Sequence, residues 1–229
     1  MTVAAGSLAR EHAGRCTAAN LSATQVPLLV RNLGQTDYQQ TWQAMAAFTA
    51  ARSEQTVDEL WCCEHAPVLT LGQAGRPEHL LVDLGIPLVN SDRGGQITYH
   101  GPGQVVVYLL LDLNRRRLKV RELVLAIEQA VINLLAEHGV IAERHGGAPG
   151  VYVGAAKVAA LGLRIRKGCC YHGVSLNVAM DLSPFAAINP CGYAGMPVTQ
   201  TSDLGISLTP AQAATALAEH LAVQLEHKQ

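Results

Sequence analysis

The chain has 229 residues, 49% hydrophobic and 15% charged, with a formal net charge of −1. These values describe a globular chain with room for a real core and exclude collagen-like, fibrous and disordered classes. So small a net charge supplies no global field to gather nucleic acid or an anionic membrane, and neither is expected as a partner.

The longest unbroken apolar run, residues 105–111, is far short of the roughly 20 residues that a spanning helix needs. Residues 1–24 mix Ala, Ser and Thr with Arg10, Glu11 and Arg15 and lack an apolar stretch of signal-peptide length. They are expected to form a flexible tail ahead of one catalytic domain over residues 25–229.

In chain order, residues 26–32 read as a strand. A helix follows, capped by Thr36 or Asp37, with Tyr38, Trp42, Met45 and Thr49 on one face as core anchors. Strands are expected over residues 59–64, 86–90 and 96–100, with a glycine-rich turn from Ser91 to Gly95 between the last two. Residues 103–113 form a long apolar strand, central and buried on both faces. Arg115, Arg116 and Arg117 break the pattern. A second helix carries Val120, Leu123, Val124, Ile127, Val131, Leu134 and Leu135 on one stripe, with Gly139 as its stop. Residues 157–166 and 169–178 read as a hairpin turning at Lys167-Gly168. A Pro/Gly-rich loop spans 181–201. The last helix has Thr209 as cap and Pro210 at its first position, and buries Ala213, Ala214, Leu217, Leu221 and Leu225. Strands that alternate with helices and also form hairpins indicate a single mixed-sheet α+β domain.

Six cysteines occur: Cys16, Cys62, Cys63, Cys169, Cys170 and Cys191. Two pairs are adjacent in sequence, which is poor geometry for bridging within a pair. With no secretory signal, reduced thiols and a cytoplasmic location are expected. No CxxC or HxxxH spacing appears, so no metal site is expected.

Four segments carry groups capable of chemistry. The first runs from Arg93 through Gly94, Gly95, Gln96, Ile97, Thr98, Tyr99 and His100 to Gly101-Pro102-Gly103-Gln104. Its glycines either let backbone approach a ligand closely, with Arg93 and His100 as polar anchors, or simply serve hairpin turns. It contains neither a GxxxxGK[ST] phosphate loop nor a GxGxxG leading from strand to helix. The second is Asn189-Pro190-Cys191-Gly192-Tyr193. A loop thiol is either a nucleophile or inert, and at an ordinary pKa of about 8.5 it needs a cationic or basic neighbour to react. The third is Lys157, flanked by Gly154-Ala155-Ala156 and Val158-Ala159-Ala160. It is either a desolvated base or an outward-pointing edge lysine. The fourth is residues 171–178. Alternation puts Gly173, Ser175 and Asn177 on one face, able to line a pocket, and His172 with Val174, Leu176 and Val178 on the other.

In this order, Pro67-Val68-Leu69-Thr70-Leu71-Gly72, Arg93 to Gln104, Lys157 to Ile165, His172 to Val178 and Asn189 to Tyr193 resemble one family, the bacterial lipoyl(octanoyl) transferases, or octanoyl-carrier-protein:protein N-octanoyltransferases. The resemblance spans residues 30–204. It implies a fold shared with lipoate ligases and the catalytic domain of biotin protein ligases. It implies a Cys191/Lys157 dyad. It further implies substrate contacts at Arg93, Gly94, Gly95, Gln96, Ile97, Thr98, Tyr99 and His100, at Ala160, Leu161 and Gly162, and at Gly173, Val174 and Ser175. The reaction would move octanoyl from its acyl carrier protein to a lysine of lipoyl domains, those of 2-oxoacid dehydrogenase complexes and of the glycine cleavage H protein, with no cofactor. An apolar tunnel would take the acyl chain.

Carrier proteins and lipoyl domains are generally acidic. Two basic clusters could dock them: Arg115, Arg116, Arg117, Lys119 and Arg121, or Arg164, Arg166 and Lys167 at the hairpin tip. The competing readings are an ATP-dependent lipoate or biotin ligase, a non-catalytic acyl-binding module, and a Cys/His hydrolase using His172 or His100 as base.

Overall fold

The computed structural model describes residues 26–189 and 195–226. At its centre the long apolar run becomes β6 (Gln104–Asp112), buried along almost its whole length. Its odd-numbered side chains, from Val105 to Leu111, pack with helices α2 (Val120–Glu137) and α3 (Pro210–Glu226). Its even-numbered ones, Val106, Tyr108 and Leu110, pack with Met45 of α1 (Tyr38–Ala50). Strand side chains alternate between faces, so a strand covered on both faces reads as continuous apolar sequence.

β6 lies third in a six-stranded sheet. On one side are β2 (Asp58–His65) and then β1 (Leu28–Thr36). On the other are β9 (Cys169–Asn177), β8 (Ala156–Arg166) and β7 (Val151–Val153). β1 and β2 are parallel, joined across α1, and the remaining neighbours are antiparallel. A smaller sheet orders β4 (Leu88–Asn90), β3 (Val68–Leu71) and β5 (Ile97–His100). Leu69, Ile97 and Tyr99 of this sheet pack with Met180, Phe185 and Ile188. This is the expected mixed-sheet α+β architecture. No described helix is long and apolar enough to cross a membrane.

Local chemistry sets the element ends. Asp37 caps α1, accepting from Gln40 N–H at 2.8 Å. Thr209 accepts from Gln212 N–H at 3.3 Å at the start of α3. The β8–β9 turn places both Lys167 and Gly168 at positive φ, 50° and 79°, the geometry of a two-residue hairpin turn. The α2 stripe departs from expectation at Val120, which sits exposed in the first turn. β3 and β7, four and three residues long, are too short for alternation to announce them.

The first basic cluster does not form a docking surface as a unit. Asp58 of β2 is fully buried, and its carboxylate gathers Arg52, Arg115 at 2.7 Å and Arg116 at 2.5 Å, along with Asp112 N–H at 2.9 Å. Arg116 itself is buried. These arginines hold the β6–α2 connection to β2, and Arg117, Lys119 and Arg121 alone remain exposed. Removing one partner of a buried ion cluster strands the others, so Asp58→Ala should lose about 3–5 kcal/mol of stability in urea unfolding. A loss below about 1 kcal/mol would mean that the cluster contributes little.

Candidate active site

Small residues meet on one face of the large sheet between β8 and β9. Gly162 pairs with Gly173 and Ala160 with Ser175 across the two strands. Small side chains leave a cleft there of about 770 Å³, including its open mouth. Gln104, Val106 and Tyr108 of β6 line it, with Ser175 and Asn177 of β9. Gly95, Gln96, Ile97, Thr98 and His100 close it from the smaller sheet, and Phe185 and Val198 border it. The pocket-facing role expected of Gly173, Ser175 and Asn177 is therefore observed.

Lys157 also lines the cleft. It is not an outward-pointing edge lysine, being only 3% exposed. Its Nζ donates to Pro149 O at 3.3 Å and lies 5.0 Å from the centre of the Tyr152 ring. Gly150 makes room for it, since a Cβ there would lie 3.1 Å from Lys157 Cε. The lysine main chain is held as well. Its N–H donates to Pro197 O, and its carbonyl accepts from Thr199 N–H, both at 2.9 Å. Residues 197–199 thus run beside Lys157 in a parallel bridge centred on Val198. Cys191, Pro190, Gly192 and Tyr193 lie outside the described residues, as does Cys16. The described segments on either side of residues 190–194 are both anchored: Asn189 N–H donates to His79 O at 2.9 Å, and residues 197–199 pair with Lys157. The other four cysteines are free, and three are buried. Burial raises the thiols of Cys62 to about 11 and Cys63 to about 12, and pushes that of Cys170 higher still, which removes them as nucleophiles at neutral pH.

Most of the anticipated contact residues share this cleft: Arg93, Gly95, Gln96, Ile97, Thr98, His100, Ala160, Leu161, Gly162, Gly173, Val174 and Ser175. Gly94 and Tyr99 do not line it. Gly94 N–H donates to Leu163 O at 2.9 Å, tying the glycine turn to the β8 edge. Tyr99 packs edge-on against Phe185 in the core of the smaller sheet. Arg93 is an internal tie as well as a lining residue. Its guanidinium donates to Thr70 Oγ1 and O, to Gly94 O and to Gln96 O. Gly173 is required by a close approach, because a Cβ there would lie 1.9 Å from Val107 O.

His172 departs from strand alternation. Its φ of 62° turns the ring to the cleft side, where Nε2 meets Asp92 Oδ1 at 2.8 Å. Burial opposes the Asp92 charge, but hydrogen bonds from His172, Tyr171 and Trp42 together outweigh it and hold the carboxyl at about 2. Burial in turn lowers the pKa of His172 despite that partner. Sequence reasoning took Tyr38 as a core anchor and passed over Tyr108. Both line the cleft. Tyr38 stacks on His100 with ring centres 5.8 Å apart, and Tyr108 donates to or accepts from His65 Nε2 at 2.6 Å.

His100 is buried at the cleft wall, and burial, then the neighbouring His65, pushes its pKa down to about 3. An unfolded histidine titrates near 6.5. Between those values the unfolded chain binds a proton that the folded chain refuses. Stability is thus complete above about pH 6.5 and falls with pH below it, by up to about 1.4 kcal/mol per pH unit for this one group. Urea unfolding at pH 7.5 and 5.5 should show that loss, and His100→Gln should shrink it. Equal loss in wild type and variant would contradict a neutral, buried His100.

Residues 37–222 match the family described as the lipoyl protein ligase A/B catalytic domain. The chain is 68% identical over 203 residues to an octanoyltransferase of Dechloromonas aromatica, covering 89% of this chain and 99% of that one. It is 62% identical over 201 residues to an octanoyltransferase of Azoarcus sp., covering 87% and 88%. Among solved structures it resembles the bi-partite lipoate protein ligase of Thermoplasma acidophilum, with TM-score 0.70, 18% identity and coverage of 88% and 84%. It also resembles a biotin protein ligase of Aquifex aeolicus, with TM-score 0.53, 12% identity and coverage of 88% and 73%. At these identities the structural likenesses establish the fold.

Proposed function

The chain belongs to the octanoyltransferase branch of the lipoyl protein ligase A/B catalytic-domain family, and we propose that it moves octanoyl from an acyl carrier protein to a lipoyl-domain lysine through a thioester on Cys191, activated by Lys157. The acceptors would be the lipoyl domains of 2-oxoacid dehydrogenase complexes and the glycine cleavage H protein, and the setting the reducing cytoplasm. The observation that carries this reading is the burial of Lys157 in the cleft, with its main chain paired to residues 197–199, which leave Cys191 only six residues before Pro197.

In the first half-reaction, Lys157 as the amine takes the Cys191 proton, and the thiolate attacks the carbonyl of the octanoyl thioester. The Cys191–carbon bond forms, the carrier's carbon–sulfur bond breaks, and the carrier thiolate leaves with the proton from the Lys157 ammonium. In the second, the acceptor amine attacks the Cys191 thioester. Its proton passes to Lys157, the carbon–sulfur bond breaks, and that proton returns to the Cys191 thiolate. The oxyanion of each tetrahedral state would need a backbone N–H other than those of Gly94 and Gly103, which are given to Leu163 O and to Glu64. The small-residue floor between β8 and β9 accommodates the methylenes, each worth about 0.8 kcal/mol on burial. Thioester to amide is downhill, so the cycle needs no nucleotide. Arg166 and Lys167, exposed at the β8–β9 tip, remain available to an acidic partner.

Incubation with octanoyl-carrier protein in the absence of ATP, followed by intact mass measurement, should give one added octanoyl group, labile to hydroxylamine and mapped to Cys191. Wild type without an adduct, or Cys191→Ser with an unchanged one, would overturn the proposal. An adduct that appears only with ATP and survives Cys191→Ser would identify a ligase instead. Lys157→Ala should slow adduct formation at neutral pH by at least about tenfold and recover part of the rate at high pH, where the thiol ionises unaided. A wild-type rate at every pH would remove Lys157 as the activator.

A further inference from the structure

A chain of buried amides runs from the glycine motif to the backbone around Lys157, and its direction is forced by the carbonyls it meets. Thr199 O can only accept, so the group that meets it at 2.9 Å is the NH2 of Asn177. Asn177 must then turn its oxygen to Gln104, whose NH2 donates at 2.9 Å and reaches Tyr99 O at 3.2 Å as well. Gln104 is left with only its carbonyl for His100, so the nitrogen 2.7 Å away, Nδ1, carries the proton. Asn177, Gln104 and His100 are buried, and the carbonyls of Thr199 and Tyr99, which can only accept, together set two amide orientations and one histidine tautomer.

The far end is also where Lys157 is held, since Thr199 N–H donates to Lys157 O. β9 ends at Asn177, and beyond it residues 197–199 pair with β8 at Lys157. Asn177 thus stands at the point where β8 changes partner. A slip there would carry Lys157 with it.

We propose that Asn177 and Gln104 are positioning residues for the acyl transfer: through Thr199 they set the register of residues 197–199 against Lys157 and so the aim of its ammonium. This rests on the reading of Lys157 as the proton carrier. The relay holds its direction throughout the working pH range because its one titratable member, His100, stays neutral. Among the described residues, the other titratable or charged groups lining the same cleft are Lys157 and Tyr38, with Tyr108, His172 and Arg93.

Asn177→Leu and Gln104→Met keep side-chain volume while deleting the relay. In each, adduct formation should fall about tenfold or more at neutral pH, the effect expected when a buried hydrogen-bonded group loses its partner. The rate should recover at high pH, as for Lys157→Ala, with the KM for the acyl donor changed less than kcat. The double variant should be no slower than the slower single variant, because both cut one chain. Amide exchange at Thr199 and Lys157 should quicken in both. Unchanged exchange at those two amides overturns the proposal, and so does a rate loss that is equal at all pH while Lys157→Ala does recover. If Lys157→Ala itself shows no recovery, the dyad reading falls and takes the relay's catalytic meaning with it, a result told apart by the behaviour of that one variant.

Discussion

Two main-chain hydrogen bonds, Lys157 N–H to Pro197 O and Thr199 N–H to Lys157 O, organise the working end of this protein. They are strand-like bonds in which a loop segment, rather than a neighbouring strand, supplies the partner. Because β9 stops at Asn177, the β8 edge at Lys157 is open to receive residues 197–199. The same pairing fixes one end of the Pro/Gly-rich loop against the large sheet and orients a lysine whose side chain crosses Gly150 into the cleft. Backbone bonds tolerate almost any side chain, so a site hung on them keeps its geometry while the lining changes.

Charge is distributed around the cleft in a way that suits an acyl chain. The Arg93 guanidinium is spent largely on carbonyl and hydroxyl oxygens of its own turn and of Thr70. Asp92 is ionised, but Trp42, Tyr171 and His172 hydrogen-bond it, Arg164 lies 3.9 Å away, and His172 joins it to the cleft wall. His65, His100 and His172 are all driven toward the neutral form by burial. His100, Gln104 and Asn177 form a neutral, mutually hydrogen-bonded stretch of that wall, whereas Gln96 Oε1 and His172 Nδ1, on residues that also line it, are buried without a hydrogen-bond partner among the described residues.

Much of the scaffold was legible because it rests on local rules. The continuous apolar run of β6, the caps at Asp37 and Thr209, and the Lys167-Gly168 turn each express a single physical preference, and each was found where expected. The pocket face of Gly173, Ser175 and Asn177 followed from strand alternation. His172 did not, because one positive φ reverses the side of its ring and no neighbour in sequence announces it. The fates of Arg115 and Arg116 depended on Asp58, more than fifty residues away, so a basic run read as surface became partly a buried ion cluster. The choice between a desolvated and an outward-pointing Lys157 stayed open in the sequence, since residues 197–199 and Gly150 pack it from outside its own strand. The relay through Gln104 and Asn177 joins two motifs that read separately as a glycine turn and a polar strand face.

The proposed function requires the acyl group to rest on the enzyme between donor and acceptor. The most direct measurement isolates the octanoyl-enzyme free of carrier protein and mixes it, without ATP, with an unmodified lipoyl domain in a rapid-quench experiment. In the proposed cycle the octanoyl group transfers to the domain's lysine at a rate no slower than steady-state turnover. An isolated adduct that is inert, that is slower than turnover, or that yields only free octanoate would contradict it.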